Sequence, residues 1–379
     1  MATTTISWDV LRELAAIRTT RGRAISLYLD LSARVVPGIG DVRTRVHALL
    51  DEGSKSERNG GAAVGHERRE ALRTDVEELQ SFFEREFDRD GASGVAVFAS
   101  GLDSVWRVLP LSEPVPDAVR VGGELHIAPL VSLVGRSDGA LVAHVGREQG
   151  RLFRLAAGRL TEVVDRSDEV PGRHDQGGWS QSRFRRHIEN LARGHLRAVA
   201  RELDRSFRAL GRPQLVLVCG DETRAELAGL LSAEVAAAVV GWAQVEAHAS
   251  VGELEAAVLP LLEASRAGRE SETIERWRDE VGRGGRAVAG WEATLEAASD
   301  GRVELLLFED GAGHEAFRCL SCGRVSVAGG SCGLDGAALE RYDDGLDFAV
   351  RRTLVHGGTA LAVDRGALGE AGVGALLRF

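Results

Sequence analysis

Stretches in which apolar residues occupy every second position alternate along this chain with stretches that carry the three-to-four-residue spacing of a helix. That succession leaves few folds open, namely sheets whose faces are covered by helices. Ile25, Leu27, Leu29 and Leu31 share one face of a strand expected over residues 23–31. Helices are expected at 9–17, 41–52 and 66–87, the last two separated by a turn-rich stretch at 53–65, and strands at 94–99, 105–111 and 119–127. These make an N-terminal α+β domain over residues 1–128. Strands at 141–145, 152–156 and 160–164, a long helix at 182–211, a buried strand at 215–219, a helix at 222–231, a strand at 237–242 and a helix at 252–280 make a middle mixed-sheet domain over 129–268. A helix at 287–298, a strand at 303–308, a helix at 345–355 and strands at 359–363 and 374–379 make a C-terminal α/β sandwich over 269–379, interrupted by a cysteine-bearing insertion at 313–336. The fold class is therefore α/β in three domains, which suits 379 residues, a length too great for one ordinary core.

Composition narrows the setting. Apolar residues make up 44% and aromatics only 5%, so aliphatic side chains must fill the cores. No apolar run approaches the roughly 18 residues that span a bilayer, and the first seven residues lack a basic start and an apolar stretch, which places the chain in the cytoplasm and away from the membrane. Cys219 stands alone while Cys319, Cys322 and Cys332 cluster, a pattern suited to a reducing compartment. The net charge of −10 argues against a general nucleic-acid coat, so any RNA binding has to be local.

One segment supplies such a locus. Between 165 and 181 core residues are almost absent, and Gly172, Gly177 and Gly178 make the backbone permissive. The run Gly177-Gly178-Trp179-Ser180-Gln181-Ser182-Arg183-Phe184-Arg185-Arg186-His187 then enters the long helix, whose free N–H groups suit an anion. Phe184, Ile188, Leu191, Val199 and Leu203 point toward a core, whereas Arg193, Arg197, Arg201 and Arg205 recur every four residues on another face. A charged stripe is ordinarily a solvated helix face. Here eight arginines (183, 185, 186, 193, 197, 201, 205 and 208) meet only Glu189, Glu202 and Asp204, an excess of five in an acidic protein.

This loop and helix resemble the Gly-Gly-Gln loop and adjoining basic helix of the archaeo-eukaryotic class-1 peptide release factors. Gln181, Ser182, Arg183 and Phe184 match the run that follows the glycines in that family, with Trp179 and Ser180 interposed. The nearest likeness is to its bacterial members and to the release-factor-like peptidyl-tRNA hydrolases of ribosome quality control. The strand at 25–31 and the ending Gly372-Val373-Gly374-Ala375-Leu376-Leu377-Arg378-Phe379 extend it over nearly the whole chain. The resemblance implies hydrolysis of the peptidyl-tRNA ester, with Gln181 and the glycines Gly177 and Gly178 as the catalytic loop and Arg183, Arg185, Arg186, Arg193, Arg197 and Arg201 on RNA. It also implies the ribosome and peptidyl-tRNA as partners, with a translational GTPase beside them. Gln176 competes with Gln181 for the catalytic role, and His174 and His187 are candidate proton carriers that read more simply as surface or RNA-contacting histidines. The family's stop-codon readers carry an Asn-Ile-Lys-Ser motif; Lys55, the only lysine, follows Ser54, so codon-specific termination is not expected. The interposed Trp179 favours a second reading, a non-catalytic ribosome-binding rescue or hibernation factor.

Cys319 and Cys322 have the spacing of a zinc knuckle, Cys332 lies ten residues beyond Cys322, and Asp335 stands where a ribbon would place its fourth cysteine. Three arrangements remain open from the spacing: a structural zinc on Cys319, Cys322, Cys332 and Asp335, one completed instead by His314, or a site that has lost its metal. No catalytic cofactor is implied. Cys219, within a strand, reads as a small buried hydrophobe.

Overall fold

The structure is a computed structural model that describes residues 6–32, 35, 38–59, 65–89, 91–134, 139–156, 159–166, 181–246, 248–342 and 344–379. Its backbone gathers into two compact units, one made of residues 1–137 together with 272–379, the other of residues 138–271. The architecture is mixed α/β, as the alternating periodicities require, with four sheets among the described residues.

The first unit opens with α1 (Trp8–Ala16), capped by the Ser7 side chain on the Val10 N–H. An antiparallel sheet follows in the order β3-β2-β1-β4, with β1 (Ala24–Asp30), β2 (Gly94–Ser100), β3 (Val105–Leu111) and β4 (Ala118–Gly122). Ile25, Leu27 and Leu29 of β1 and Val95 and Val97 of β2 face α2 (Ile39–Asn59) and α3 (His66–Arg85), where Val46, Leu50, Leu79 and Phe83 close the layer. The opposite face, with Ala24, Tyr28, Ala96 and Phe98, enters a larger core shared with α1, with α4 (Ala128–Val131) and with the C-terminal segment.

In that segment β10 (Ala287–Ala289), β11 (Val303–Glu309), β15 (Thr359–Val363) and β16 (Val373–Leu377) form a sheet in the order β10-β16-β11-β15, with β11 and β15 parallel. Helices α9 (Trp291–Ser299) and α10 (Gly345–Val355) cover it. The insertion folds as a three-stranded sheet of β12 (Ala316–Cys319), β13 (Val325–Ser326) and β14 (Leu339–Tyr342).

The second unit carries a sheet in the order β7-β6-β5-β8-β9. The hairpin β6 (Gly150–Ala156) and β7 (Arg159–Asp165) is antiparallel, whereas β5 (Ala140–Val145), β8 (Leu215–Val218) and β9 (Val239–Ala243) run parallel. One face packs Leu141, Ala143, Leu215 and Leu217 against α5 (Gln181–Ala209), α6 (Asp221–Ala228) and α7 (Ala233–Ala237). The other packs Val142, Phe153, Val216 and Val218 against Leu254 and Val258 of α8 (Val251–Gly282).

Three sequence expectations are corrected. The stretch 53–65 is not wholly turn, because α2 runs on to Asn59. Gly53 lies inside it, where a Cβ would stand 2.9 Å from Val119, so the missing side chain lets the helix lie close on β4. The start of the expected helix 287–298 is a strand, since Ala287 pairs with Leu376 and Ala289 with Gly374. The strand expected over 119–127 ends at Gly122, and beyond it Leu125 and Ile127 plug the core without pairing to a strand.

Between those two plugs sit Glu124 and His126, and both enter a buried polar cluster with α10. Arg351, 1% exposed, donates to the carbonyls of Ala15 (2.8 Å), Ile17 (3.2 Å) and Leu125, and its Nε lies 3.3 Å from Glu124 Oε2. Asp347 accepts from the backbone N–H groups of Ile127 (2.6 Å) and Ala128 (3.0 Å). His126 Nδ1 lies 3.2 Å from Asp344 and 3.4 Å from Asp347. Burial alone pushes the His126 imidazole down, but its pairing with Asp344 and Asp347 outweighs burial and holds it up at about 9. A histidine raised from 6.5 to about 9 contributes stability that is complete below 6.5 and is lost as pH rises through 9. The melting temperature of the protein should therefore fall more steeply between pH 6.5 and 9.5 than that of His126→Gln. Parallel melting curves for the two proteins across that window would show the cluster to be uncharged at His126.

Candidate functional site

The site is built on α5. Its 29 residues extend about 43 Å, more than twice the roughly 20 Å of β5, whose six residues it covers. Ala192 is buried, and Leu196, Val199, Leu203 and Phe207 of the helix enter the core. Leu191, which helical spacing puts on the core face, is 38% exposed. The first residue of α5 is Gln181.

Gly177 and Gly178, together with Gln176, His174, Trp179 and Ser180, lie outside the described residues. Gln181, Arg183, Arg185, Arg186 and His187 belong to the described helix backbone. The first turn holds no acidic residue to offset the positive end of the helix dipole, and Arg183, Arg185 and Arg186 stand within the first six residues of the helix. Cationic side chains at that end work against the dipole, and an anion there would relieve them.

Farther along, Arg193, Arg197 and Arg201 are exposed, on the side of the helix away from Leu196, Val199 and Leu203. No ion pair involves any of the three among the described residues. Arg205 and Arg208 differ. Arg205 pairs at 2.9 Å with Glu202, which also holds Arg166 at the end of β7 at 3.0 Å. Arg208 reaches Asp204 at 3.0 Å and Glu234 at 3.4 Å. The stripe therefore has two parts, a neutralised end at Arg205 and Arg208 and an uncompensated stretch from Arg193 to Arg201. Charge counts in the sequence could not draw that division, because Glu234 and Arg166 belong to other elements.

The insertion brings Cys319, Cys322, Cys332 and Asp335 together, with ligand atoms all within 4.8 Å of one another. The Sγ atoms of Cys322 and Cys332 are 3.6 Å apart, and Cys319 Sγ is 3.4 Å from Asp335 Oδ2. A tetrahedral zinc with sulfur ligands at about 2.3 Å would put them roughly 3.8 Å apart, so the four groups have the dimensions of such a site. The two halves repeat one turn. Gly323 N donates to Cys319 O and Gly336 N to Cys332 O, each at 2.8 Å, and both glycines have the positive φ that the turn needs. Asp335 occupies in the second turn the place of Cys322 in the first. The Ala337 N–H and the neighbouring thiols hold its carboxyl down at about 2, ionised as a ligand must be. His314 is elsewhere, its ring 5.2 Å from that of Trp291 and its Nδ1 at the Glu315 carbonyl. Cys219 is 6% exposed and its thiol is pushed up to about 11 by burial, in keeping with a packing role.

Because Arg193, Arg197 and Arg201 are exposed and hold no carboxylate, reversing all three to glutamate should lower the unfolding free energy by no more than about 1.5 kcal/mol. Urea denaturation of the triple variant checks this, and a larger loss would mean that the stripe supports the fold.

Residues 126–267 match the model of the bacterial archaeo-eukaryotic release factor family 10. No curated protein matches the sequence. Among solved structures, the archaeal translation termination factor aRF1 is similar at 15% identity, with 99% of each chain covered and a TM-score of 0.27. Pelota of Archaeoglobus fulgidus is similar at 15% identity over 78% of this chain and 82% of its own, with a TM-score of 0.32. Dom34 of S. cerevisiae, a translation termination-like factor involved in RNA quality control pathways and interacting with Hbs1, is similar at 10% identity over 75% and 79%, with a TM-score of 0.38. Among the described residues no helix is long and apolar enough to cross a membrane.

Proposed function

We propose that this chain, a bacterial archaeo-eukaryotic release-factor-like protein over residues 126–267, binds the ribosome or tRNA and hydrolyses the peptidyl-tRNA ester independently of stop codons. The observation that carries the reading is the form of α5: a helix that begins at Gln181, packs through Leu196, Val199, Leu203 and Phe207, and holds Arg193, Arg197 and Arg201 exposed and, among the described residues, without an ion-pair partner. Guanidinium groups in that state suit the phosphates of an RNA backbone, whereas arginines already held by carboxylates do not. In this reading residues 129–268 are the RNA-binding and catalytic domain, residues 1–128 and 269–379 flank it, and the work takes place in the cytoplasm, with a translational GTPase as an accessory partner.

Gln181 carries the chemistry. Its amide cannot ionise, so it orients a water against the ester carbonyl by hydrogen bonding, while backbone N–H groups of the Gly177-Gly178 loop stabilise the oxyanion as the ester C–O bond breaks. Much of the rate then comes from positioning and from the RNA. A second reading, a non-catalytic ribosome-binding rescue or hibernation factor, is favoured by one feature of the sequence: Trp179 and Ser180 stand between the glycines and Gln181. The C-terminal insertion holds a structural zinc on Cys319, Cys322, Cys332 and Asp335.

Stalled 50S–peptidyl-tRNA complexes separate these readings. Gln181→Ala should slow the release of free tRNA about a hundredfold, roughly 2.7 kcal/mol, and leave co-sedimentation with ribosomes intact. The triple reversal of Arg193, Arg197 and Arg201 should abolish co-sedimentation, and wild-type binding should weaken with salt. Equal release by Gln181→Ala and wild type would remove Gln181 from the mechanism, and binding without release by either would establish the non-catalytic reading. Metal analysis of protein purified without chelator should find one zinc per chain, lost from the Cys319→Ser, Cys322→Ser double variant; a metal-free wild type would rule the zinc site out.

A further inference from the structure

Away from α5, arginines converge on a single carboxylate in the first unit. Glu124, with its side chain 9% exposed, receives Arg18 and Arg318 on the same oxygen, Oε1, the latter at 3.3 Å. The other oxygen, Oε2, accepts from the Tyr342 hydroxyl at 2.7 Å and lies 3.3 Å from Arg351 Nε. Sharing one oxygen places the Arg18 and Arg318 guanidinium groups side by side, and both remain open to solvent, with 44% and 31% of their side chains exposed.

A further guanidinium belongs to the group. Arg352 is half-buried, donates to the Ser299 carbonyl at 2.8 Å, and is pushed down from the usual arginine range by burial and by the charges of Arg18 and Arg318. The Nε atoms of Arg318 and Arg352 are buried and, among the described residues, have no hydrogen-bond partner. The nearby acids are engaged elsewhere. Asp300 and Glu296 pair with Arg324, and Asp347 and Asp344 lie against His126. Arg351 is spent on the backbone carbonyls that it holds. Glu124 therefore holds Arg18 and Arg318 at one oxygen, with Arg352 near enough to feel both charges, a surplus of positive charge at a partly exposed position. A structural ion pair alone would need one arginine for one carboxylate.

We propose that Arg18, Arg318 and Arg352 form an oxyanion site that takes a phosphate group, with Glu124 fixing the guanidinium groups in place. Side-by-side planar donors match the geometry of a phosphate, and a dianion offsets the surplus that one carboxylate leaves. The site is separate from the arginines of α5 in sequence and in compact unit, and it does not depend on the hydrolytic reading.

Isothermal titration of the full chain with inorganic phosphate tests it. One saturable site per chain is expected, weakened about tenfold or more in Arg18→Gln and in Arg318→Gln, each removing a charge-assisted donor, and unchanged in Arg107→Gln, an exposed arginine on β3. Arg18→Gln leaves Glu124 with Arg318, Arg351 and Tyr342, so that variant keeps the fold, and its melting curve is recorded alongside. The source of the phosphate is read by repeating the titration with a nucleoside diphosphate, and with a short single-stranded RNA on a background of Arg193→Glu, Arg197→Glu and Arg201→Glu; the tightest binder names the source. An absence of saturable binding by all three, or binding untouched by both glutamine variants, overturns the site.

Discussion

The Arg351 guanidinium, buried at 1% exposure, is the point on which the first unit is hung. Its donors end on backbone carbonyls at the close of α1 and on Leu125, so a side chain from the last helix satisfies polar groups laid down more than two hundred residues earlier. Asp347, four residues before it, does the same for the N–H groups of Ile127 and Ala128. Burying a charge costs several kcal/mol unless it is paired and hydrogen-bonded, and here the partners of a C-terminal arginine come from the N-terminal segment. Neither end can complete this arrangement alone, which is why residues 1–137 and 272–379 form one compact unit although the whole second unit intervenes in sequence. Such a cluster selects one arrangement of the segments more than it adds stability, since apolar residues of similar size could fill the same volume.

Arginine thus serves two opposite purposes in a chain with one lysine. Inside, its planar fork reaches several carbonyls from one position. On α5 the same fork is left without carboxylates over Arg193 to Arg201 and is neutralised only near the helix end, by Glu202, Asp204 and Glu234. Both stretches of arginine lie along the packed length of the helix, whose other side buries Leu196, Val199, Leu203 and Phe207. Attachment and presentation are therefore divided between two faces of one element.

Much of this was legible from residue types. The strand at 105–111 and the helix at 345–355 lie where apolar spacing puts them. The C-x-x-C pair with Cys332 and Asp335 marked the cluster that the insertion assembles. What escaped was set by long-range contact. Residues 287–289 have no period to mark them as a strand and become one only because β16 offers its edge. Glu124 and His126 alternate with Leu125 and Ile127 like the solvent face of a strand, and nothing local indicates that both are turned toward Arg351, Asp344 and Asp347. A charged residue between two core residues just beyond a strand is the available cue, and it is weak.

The division of α5 also bears on where reactivity can reside. A side chain that must aim a water needs a rigid support, yet a packed helix face is closed to any large ligand. A helix packed on one face resolves the conflict, because its backbone hydrogen bonds keep the exposed face stiff as well. The cost is a helix start that carries arginines and no acid against its own dipole, an arrangement that the isolated protein gains nothing from. A polyanion laid along the helix would make the same residues favourable, which is the electrostatic ground on which RNA binding is proposed for α5.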